Sequence, residues 1–177
     1  MAMQAGAHGP VVLVVAMTRL RDRSEDGTRL PAERTRARPV VLATCAVRVH
    51  PSAERMAIDS AIEAGVPLLV VNLIPLPLYV RTMVLVGPEG TTFPHEEDLD
   101  AVRETASRAA RLGVETELLR VRTRHAVRAL LELLHERDAG LLVFGPDLRR
   151  VGRLRFIATA RRLRRSAGCL VWVAPDG

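Results

Sequence analysis

The sequence predicts an α/β domain in which a five-stranded parallel sheet carries helices on both faces. From residue 39 onward, short apolar runs of strand length alternate with longer segments whose apolar residues recur at helical spacing. Aromatic residues make up only 3% of the chain, so the core is built from Val, Leu, Ile and Ala, as in buried parallel strands. The resulting order, β-α-β-α-β-α-β-α-β, requires right-handed crossovers and therefore a parallel sheet.

The first half of this alternation contains two strands and one helix. A continuous apolar run over residues 39–44 predicts the first strand. Apolar residues at helical spacing over 52–64 predict a helix, with Ser52 as its N-cap and Gly65 as its C-terminal stop. The run over 66–74 predicts the second strand, which a Pro-Leu-Pro sequence ends.

The second half continues in the same way as far as the C-terminus. Gly113 is placed to end the second helix, and Thr123 is placed to cap the third. In order, the predicted elements are a helix over 98–112, a strand over 114–121, a helix ending near residue 139, a strand over 141–144, a helix over 149–167 and a strand over 170–173.

Two segments do not fit the alternation. Residues 1–38 form an N-terminal extension before the 39–177 domain, with an apolar run over 11–17 and then a charged linker. That run is either a sixth strand at an edge of the sheet or part of a poorly ordered extension. The insertion at 76–92 holds a further apolar run and a Gly-Pro-Glu-Gly turn, which suits either a hairpin or a flap.

The charge of the chain is strongly basic and comes only from arginine. The net charge is +6, and all 26 basic residues are Arg. A complete lack of Lys indicates coding bias more than selection for Arg chemistry. Arginines are dense over 149–165, but the one aromatic residue there, Phe156, is expected to pack inward. We therefore interpret these arginines as a solvated face and do not expect nucleic acid as a partner.

The sequence offers no recognisable catalytic or metal-binding set. Cys45 and Cys169 form no C-x-x-C pair, and His125 and His135 are too far apart on their helix to share a metal. No Ser–His–Asp spacing is visible, so we expect neither an enzyme nor a metal site. Unpaired cysteines, and an apolar run at 11–17 that is too short for a membrane span, predict a cytoplasmic protein without membrane contact.

Three stretches of sequence resemble the universal stress protein family across about residues 39–175. They are Val40-Val-Leu-Ala-Thr44 before a Ser-containing helix start, a strand that ends in Gly145 before a basic loop and helix, and Ala167-Gly-Cys-Leu-Val-Trp-Val-Ala-Pro175. The resemblance implies a Rossmann-like fold of the adenine nucleotide alpha hydrolase-like type. In parallel α/β sheets, ligands bind beyond the carboxyl ends of the strands, where strand order reverses. In this sequence that rule points to Thr44-Cys45, Val71-Asn72 and Gly145.

The resemblance further implies which positions correspond to the family's ATP site. Nucleotide-binding members carry G-x2-G-x9-G-[ST] after the fourth strand and a Thr-Asp pair after the first. Here a leucine replaces the second glycine, a cysteine replaces the aspartate, and the third glycine is missing under either alignment of the helix. The implied cofactor-binding positions are Thr44, Cys45, Val71, Gly145, Leu148, Ala158 and Thr159.

These replacements indicate a non-catalytic stress-response or regulatory domain that acts by dimerisation or partner binding, with a lost or altered ATP site. No cofactor is expected on this interpretation. The alternative is a sensor for an adenine nucleotide, such as ATP or AMP, or for another phosphate ligand. The family's final strand often pairs across a two-fold axis, so we expect a homodimer through the closing strand: Leu170, Val171, Trp172 and Val173.

Overall fold

The computed structural model describes residues 15–19, 38–76, 96–148 and 153–174. Most of the predicted extension, almost all of the 76–92 insertion, and residues 149–152 lie outside the described residues. In chain order, the elements are β1 (Val15–Arg19), β2 (Val40–Thr44), α1 (Pro51–Ala64), β3 (Leu68–Pro75), α2 (Glu96–Arg111), β4 (Thr116–Thr123), α3 (Ala126–Glu136), β5 (Leu141–Phe144), α4 (Arg153–Ser166) and β6 (Leu170–Val173).

The strands form one sheet in the order β1-β4-β3-β2-β5-β6. Strands β2 to β6 are parallel to one another, which confirms the predicted five-stranded parallel sheet. Strand β1 adds a sixth, antiparallel strand beside β4, with Val15 opposite Val121. From β2 the chain runs outward to β4 and then returns to β5 on the other side of β2. The strand order therefore reverses between β2 and β5, where ligands bind in open α/β sheets.

Two separate apolar clusters cover the two faces of the sheet, so the prediction of helices on both faces is confirmed. Helices α1 and α2 pack on one face, where Ala57 and Val102 join Leu42 in the same cluster. Helices α3 and α4 pack on the other face, where Leu130 and Phe156 are buried. The rings of Phe144 and Phe156 stack there with their centroids 5.7 Å apart.

The helix ends depend on local hydrogen bonds that differ in part from those predicted. The predicted N-cap at Ser52 is wrong: α1 begins at Pro51, and His50 is its N-cap, with the imidazole Nδ1 accepting from the Ser52 backbone N–H. Gly65 does end α1, in the left-handed conformation at φ 61°. Thr123 belongs to β4, and its hydroxyl accepts from the backbone N–H of His125, which is the N-cap of α3.

Within the described residues, no helix combines the length and the apolar character that crossing a membrane requires.

Candidate functional site

The loop that follows β2 makes a tight turn at the point where strand order reverses. The Thr44 hydroxyl donates to the Val47 carbonyl oxygen at 2.7 Å. Ala46 has a φ of 54°, a left-handed conformation that is rare for a residue other than glycine. The backbone N–H of Ala46 donates to Oδ1 of Asn72, on the neighbouring strand, at 3.0 Å. Side chains from β2 and β3 therefore hold the turn in its strained shape.

Asn72 is a buried polar residue that the sequence places at the carboxyl end of the second strand without assigning it a role. It is fully buried in β3, between Thr44 of β2 and Arg120 of β4 in the sheet register. Its Nδ2 has no hydrogen-bond partner among the described residues. In the sequence, Asn72 is the one amide side chain inside the apolar run of this strand. Because a buried polar group needs a hydrogen-bond partner, the sequence indicates that Asn72 has one. It does not identify that partner as Ala46.

The two loops that leave β2 and β5 are bonded directly to each other. The His50 backbone N–H donates to the Gly145 carbonyl at 2.8 Å, and the Asp147 N–H donates to the Arg48 carbonyl at 3.0 Å. Val49 and Pro146 form an isolated antiparallel bridge between these two bonds. The two segments beside the strand-reversal point therefore form backbone hydrogen bonds with each other, through His50 and Gly145 and through Asp147 and Arg48.

Gly145 is buried at the centre of this arrangement. Its N–H donates to the Ala43 carbonyl at 3.2 Å, and its carbonyl accepts from His50. A Cβ atom at this position would lie 2.1 Å from the Cβ of Ala53 in α1 and 3.3 Å from that of Ala174. The close approach of α1 to β5 therefore requires a glycine here, independently of any ligand.

An ion pair attaches the same loop to α2. Asp98, in the first turn of α2, is only 1% exposed. One of its carboxylate oxygens accepts from the Arg48 backbone N–H at 3.3 Å and lies 3.5 Å from the Arg48 Nε. The positive end of the α2 dipole favours a carboxylate at this position. The loop after β2 is thus held by β3, by α2 and by the segment after β5.

The two cysteines are free thiols in the described structure. Cys45 packs against the α3–α4 cluster, and burial raises the pKa of its thiol to about 12. Burial also raises the pKa of Cys169. Because the thiolate is the reactive form of cysteine, the neutral Cys45 thiol supplies neither a nucleophile nor the negative charge of a carboxylate.

The structure brings four of the predicted site residues to the strand-reversal point. Thr44 and Cys45 follow β2, whereas Gly145 and Leu148 follow the adjacent β5. Leu148 is half-buried and packs in the same apolar cluster as Cys45. Val71 lies within β3, buried and paired with Ala43 on one side.

The two remaining predicted positions lie inside α4. Ala158 and Thr159 belong to the body of this 14-residue helix, which begins at Arg153. Only the first four backbone N–H groups of a helix lack partners within it. The Thr159 N–H is therefore not among the groups that a helix N-terminus offers to a phosphate.

A pocket of about 290 Å³ lies at the opposite end of the sheet, before β3 and β4 begin. Its lining includes Ile62 and Gly65 from the end of α1, and Leu112 and Gly113 after α2. It contains none of the predicted site residues. Among the described residues, no group of three or more His, Cys, Asp or Glu is arranged to hold a metal ion.

Taken together, the sheet order and the reversal point between β2 and β5 define a Rossmann-like α/β protein. The sequence matches the model of the universal stress protein family over residues 36–175, so the chain belongs to that family. The resemblance noted in the sequence is thereby confirmed. No curated protein matches the chain in a sequence search.

Solved structures of universal stress proteins share this fold. One from Burkholderia pseudomallei has 20% identity and a TM-score of 0.56, covering 80% of this chain and 98% of its own. One from Archaeoglobus fulgidus has 27% identity and a TM-score of 0.50, covering 77% of this chain and 97% of its own. A third, solved in complex with cAMP, has 22% identity and a TM-score of 0.54, with coverage of 80% and 99%.

Proposed function

We propose that this protein is a non-catalytic regulatory member of the universal stress protein family that acts by association, with an ATP site that is lost or altered. The observation that carries the proposal is the bonding of Gly145. Both backbone groups of this residue, at the first position of the family motif, are bonded within the chain. Its Cα faces Ala53 instead of open space. Gly145 therefore acts here as a packing residue between β5 and α1.

Three other positions support the same proposal. The neutral Cys45 thiol cannot replace the carboxylate of the family's Thr-Asp pair, because it has no negative charge and its sulfur is a weak acceptor. Leu148 places a branched apolar side chain where the motif has a glycine, so a phosphate cannot approach the backbone as closely. Thr159 lies within α4, where its N–H belongs to the helical ladder. The free thiols also fit a reducing, cytoplasmic setting.

The alternative function is a sensor of an adenine nucleotide or another phosphate compound. It is favoured by the basic start of α4, where Arg153 and Arg155 lie exposed in the first turn, shortly after the Gly145 segment. Arginine binds phosphate oxygens by direct, bidentate hydrogen bonds and does not need a glycine-rich backbone. The nucleotide bound by one of the solved relatives makes cAMP a necessary probe beside ATP, ADP and AMP.

Thermal unfolding of the purified protein with each of these four nucleotides separates the two functions. A ligand that binds only the native state raises stability by RT ln(1 + [L]/Kd), or about 2.7 kcal/mol at a hundredfold excess over Kd. We expect no upward shift in Tm at about 5 mM nucleotide, a hundredfold excess for a Kd of about 50 μM. A saturable rise with one nucleotide, or the same nucleotide released on denaturation of the purified protein, would establish the sensor instead.

A further inference from the structure

Helix α4 carries a concentration of positive charge. Six of its 14 residues are arginine, and none is acidic. Elsewhere in the described chain, seven arginines lie in ion pairs with Asp or Glu, whereas Arg55, Arg120, Arg122 and Arg124 are in none of these pairs. Five exposed arginines of α4 make no ion pair within the described residues: Arg155, Arg161, Arg162, Arg164 and Arg165.

These arginines surround the outward face of the helix. The buried residues of α4, Phe156, Ala160 and Leu163, face the core. At 100° per residue, Arg161 and Arg165 lie almost opposite that buried side, with Arg162 and Arg164 flanking them. Four of the five arginines lie within residues 161–165, whereas residues 156–160 contain none. The guanidinium groups are therefore concentrated on the outward side of the C-terminal part of the helix, over about 7 Å of its length.

Several of these arginines repel one another in the isolated chain. Arg161 is separated from Arg164 and Arg165 by three and four residues, the spacings at which like charges on a helix repel each other. The helix dipole disfavours the positive charge of Arg155 near the N-terminus, whereas it favours those of Arg164 and Arg165 in the last turn. No acidic residue within α4 offsets these repulsions. A polyanion against this face would relieve all of them together.

The chemistry of the face favours nucleic acid over a membrane surface. A helix that binds a bilayer inserts an apolar face, but the apolar face of α4 is already packed in the core. Only Leu154, which is 84% exposed, presents a large apolar side chain outward. Phe156 is buried, so α4 also offers no aromatic ring for base stacking. What remains is a cluster of guanidinium groups, which can bind phosphate oxygens by charge and by direct hydrogen bonds.

We propose that the outward face of α4 binds the phosphate backbone of nucleic acid without sequence preference. The sequence favours a solvated face, with an anion- or RNA-binding module as the weaker alternative, because it offers no aromatic ring for base stacking. Binding to the phosphate backbone alone does not require such a ring. The inference does not depend on the state of the nucleotide site, since the arginines that carry it lie on the outward side of α4.

The proposal is tested by measuring, through fluorescence anisotropy, the affinity of the protein for a labelled mixed-sequence duplex of about 25 base pairs, once as DNA and once as RNA. The variant that removes the proposed contacts is R161Q/R162Q/R165Q. The matched control is R103Q/R111Q/R128Q, which removes three arginines that are paired on α2 and α3. Each triple variant lowers the formal net charge from +6 by three, so an effect of net charge alone is equal in both.

We expect the wild type to bind at about 50 mM salt, and the α4 variant to lose affinity at least tenfold while the control changes by about threefold or less. The slope of log K against log salt should become shallower by about 2.7 in the α4 variant, at about 0.9 for each lost phosphate contact. Equal losses in the two variants, no binding by the wild type, or a slope unchanged in the α4 variant would overturn the proposal. So would an effect of R161Q/R162Q/R165Q that appears with phosphatidylserine vesicles but not with the duplexes.

Discussion

Gly145 lies where β5 leaves the sheet, and its missing side chain lets α1 approach the strand closely. The nearest atom to a Cβ placed at this position is the Cβ of Ala53, which is fixed to the helix backbone and cannot rotate away. Any substituent therefore pushes α1 from the sheet or distorts the segment after β5. That segment holds the loop after β2 through the Gly145–His50 bond, so the disturbance reaches the whole strand-reversal point.

Replacing Gly145 with alanine should lower the free energy of unfolding by about 2 kcal/mol or more, because overpacking of a tight contact costs about 1–3 kcal/mol. Urea denaturation measures the loss. Ala53→Gly alone should cost about 1 kcal/mol, as glycine does within a helix. The double variant G145A/A53G should lose clearly less than the sum, since the second change removes the clashing atom. Strictly additive losses would show that the two positions do not contact each other.

The burial of Cys45 makes the free energy of unfolding depend on pH. Burial raises the folded-state pKa of this thiol from an ordinary 9.0 to about 12. A raised pKa means that the unfolded chain ionises first, so the stability contributed below pH 9 is lost as pH rises toward 12. The expected loss from this group is about 1.4 kcal/mol per pH unit in that window.

Urea unfolding of the wild type and of Cys45→Ala, compared from about pH 8 to about pH 10, isolates this effect. The free energy of unfolding should fall more steeply above pH 9 in the wild type than in the variant. Cys169 is present in both proteins, so its own raised pKa cancels in the comparison. Parallel pH profiles for the two proteins would mean that Cys45 is accessible to solvent in the native state.

At the scale of single elements, α1 begins with an uncommon cap. His50 accepts the Ser52 N–H through Nδ1, at 3.3 Å, and the same nitrogen lies 2.7 Å from the Ser52 hydroxyl. The backbone of His50 also joins the helix start to Gly145. His50 therefore has two roles: its side chain caps α1, and its backbone N–H bonds the loop after β2 to the segment after β5.

His50→Ala should destabilise the protein by about 1 kcal/mol through loss of the side-chain acceptor, whereas His50→Asn should retain most of the stability because asparagine is a good N-cap. Both variants keep the backbone N–H that binds Gly145, so the difference between them reports on the cap alone. Thermal unfolding monitored by circular dichroism gives the comparison. If the Asn variant is as unstable as the Ala variant, the imidazole contributes by packing and not as an acceptor.

The elements that sequence analysis placed best are those with continuous apolar runs. The predicted bounds of β5 and β6 agree with the structure, and those of β2 differ by one residue. Short apolar runs of this kind, bounded by turn residues and alternating with helices, are typical of strands in a parallel sheet. The start of β3 was predicted at residue 66 but lies at Leu68, because Val66 and Pro67 belong to the turn after α1. Burial alone does not distinguish a strand from an adjoining apolar turn.

The sequence predicts where the candidate site lies, but not whether its polar groups are available to a ligand or are hydrogen-bonded within the chain. Adjacent parallel strands bring their carboxyl ends together, so the sequence places Thr44 and Gly145 side by side. Whether their polar groups face a ligand depends on contacts between residues far apart in the chain. The bonds from Asn72 to Ala46 and from His50 to Gly145 are of that kind. No periodicity or motif in the sequence identifies those pairs.

At the scale of the whole molecule, β6 is the last strand at one edge of the sheet, and no other strand of the described residues pairs with its outer side. The N–H groups of Leu170 and Ala174 donate to the carbonyls of Gly140 and Phe144 on the β5 side. Backbone groups alternate along a strand, so those of Val171 and Val173 point away from β5. Leu170 is 75% exposed at the start of this edge. An apolar edge whose outward backbone groups pair with no other described strand is a template for pairing with a second chain.

We expect sedimentation of the purified protein at micromolar concentration to show a homodimer formed by pairing of two β6 strands. Val171→Pro removes an outward-pointing N–H and should shift the equilibrium to monomer. Val171→Ala also shortens the half-buried side chain but keeps the N–H, so it should remain dimeric despite a similar loss of packing. A monomeric wild type, or dimers that survive Val171→Pro unchanged, would exclude pairing through this edge. In that case association would require a different surface of the molecule.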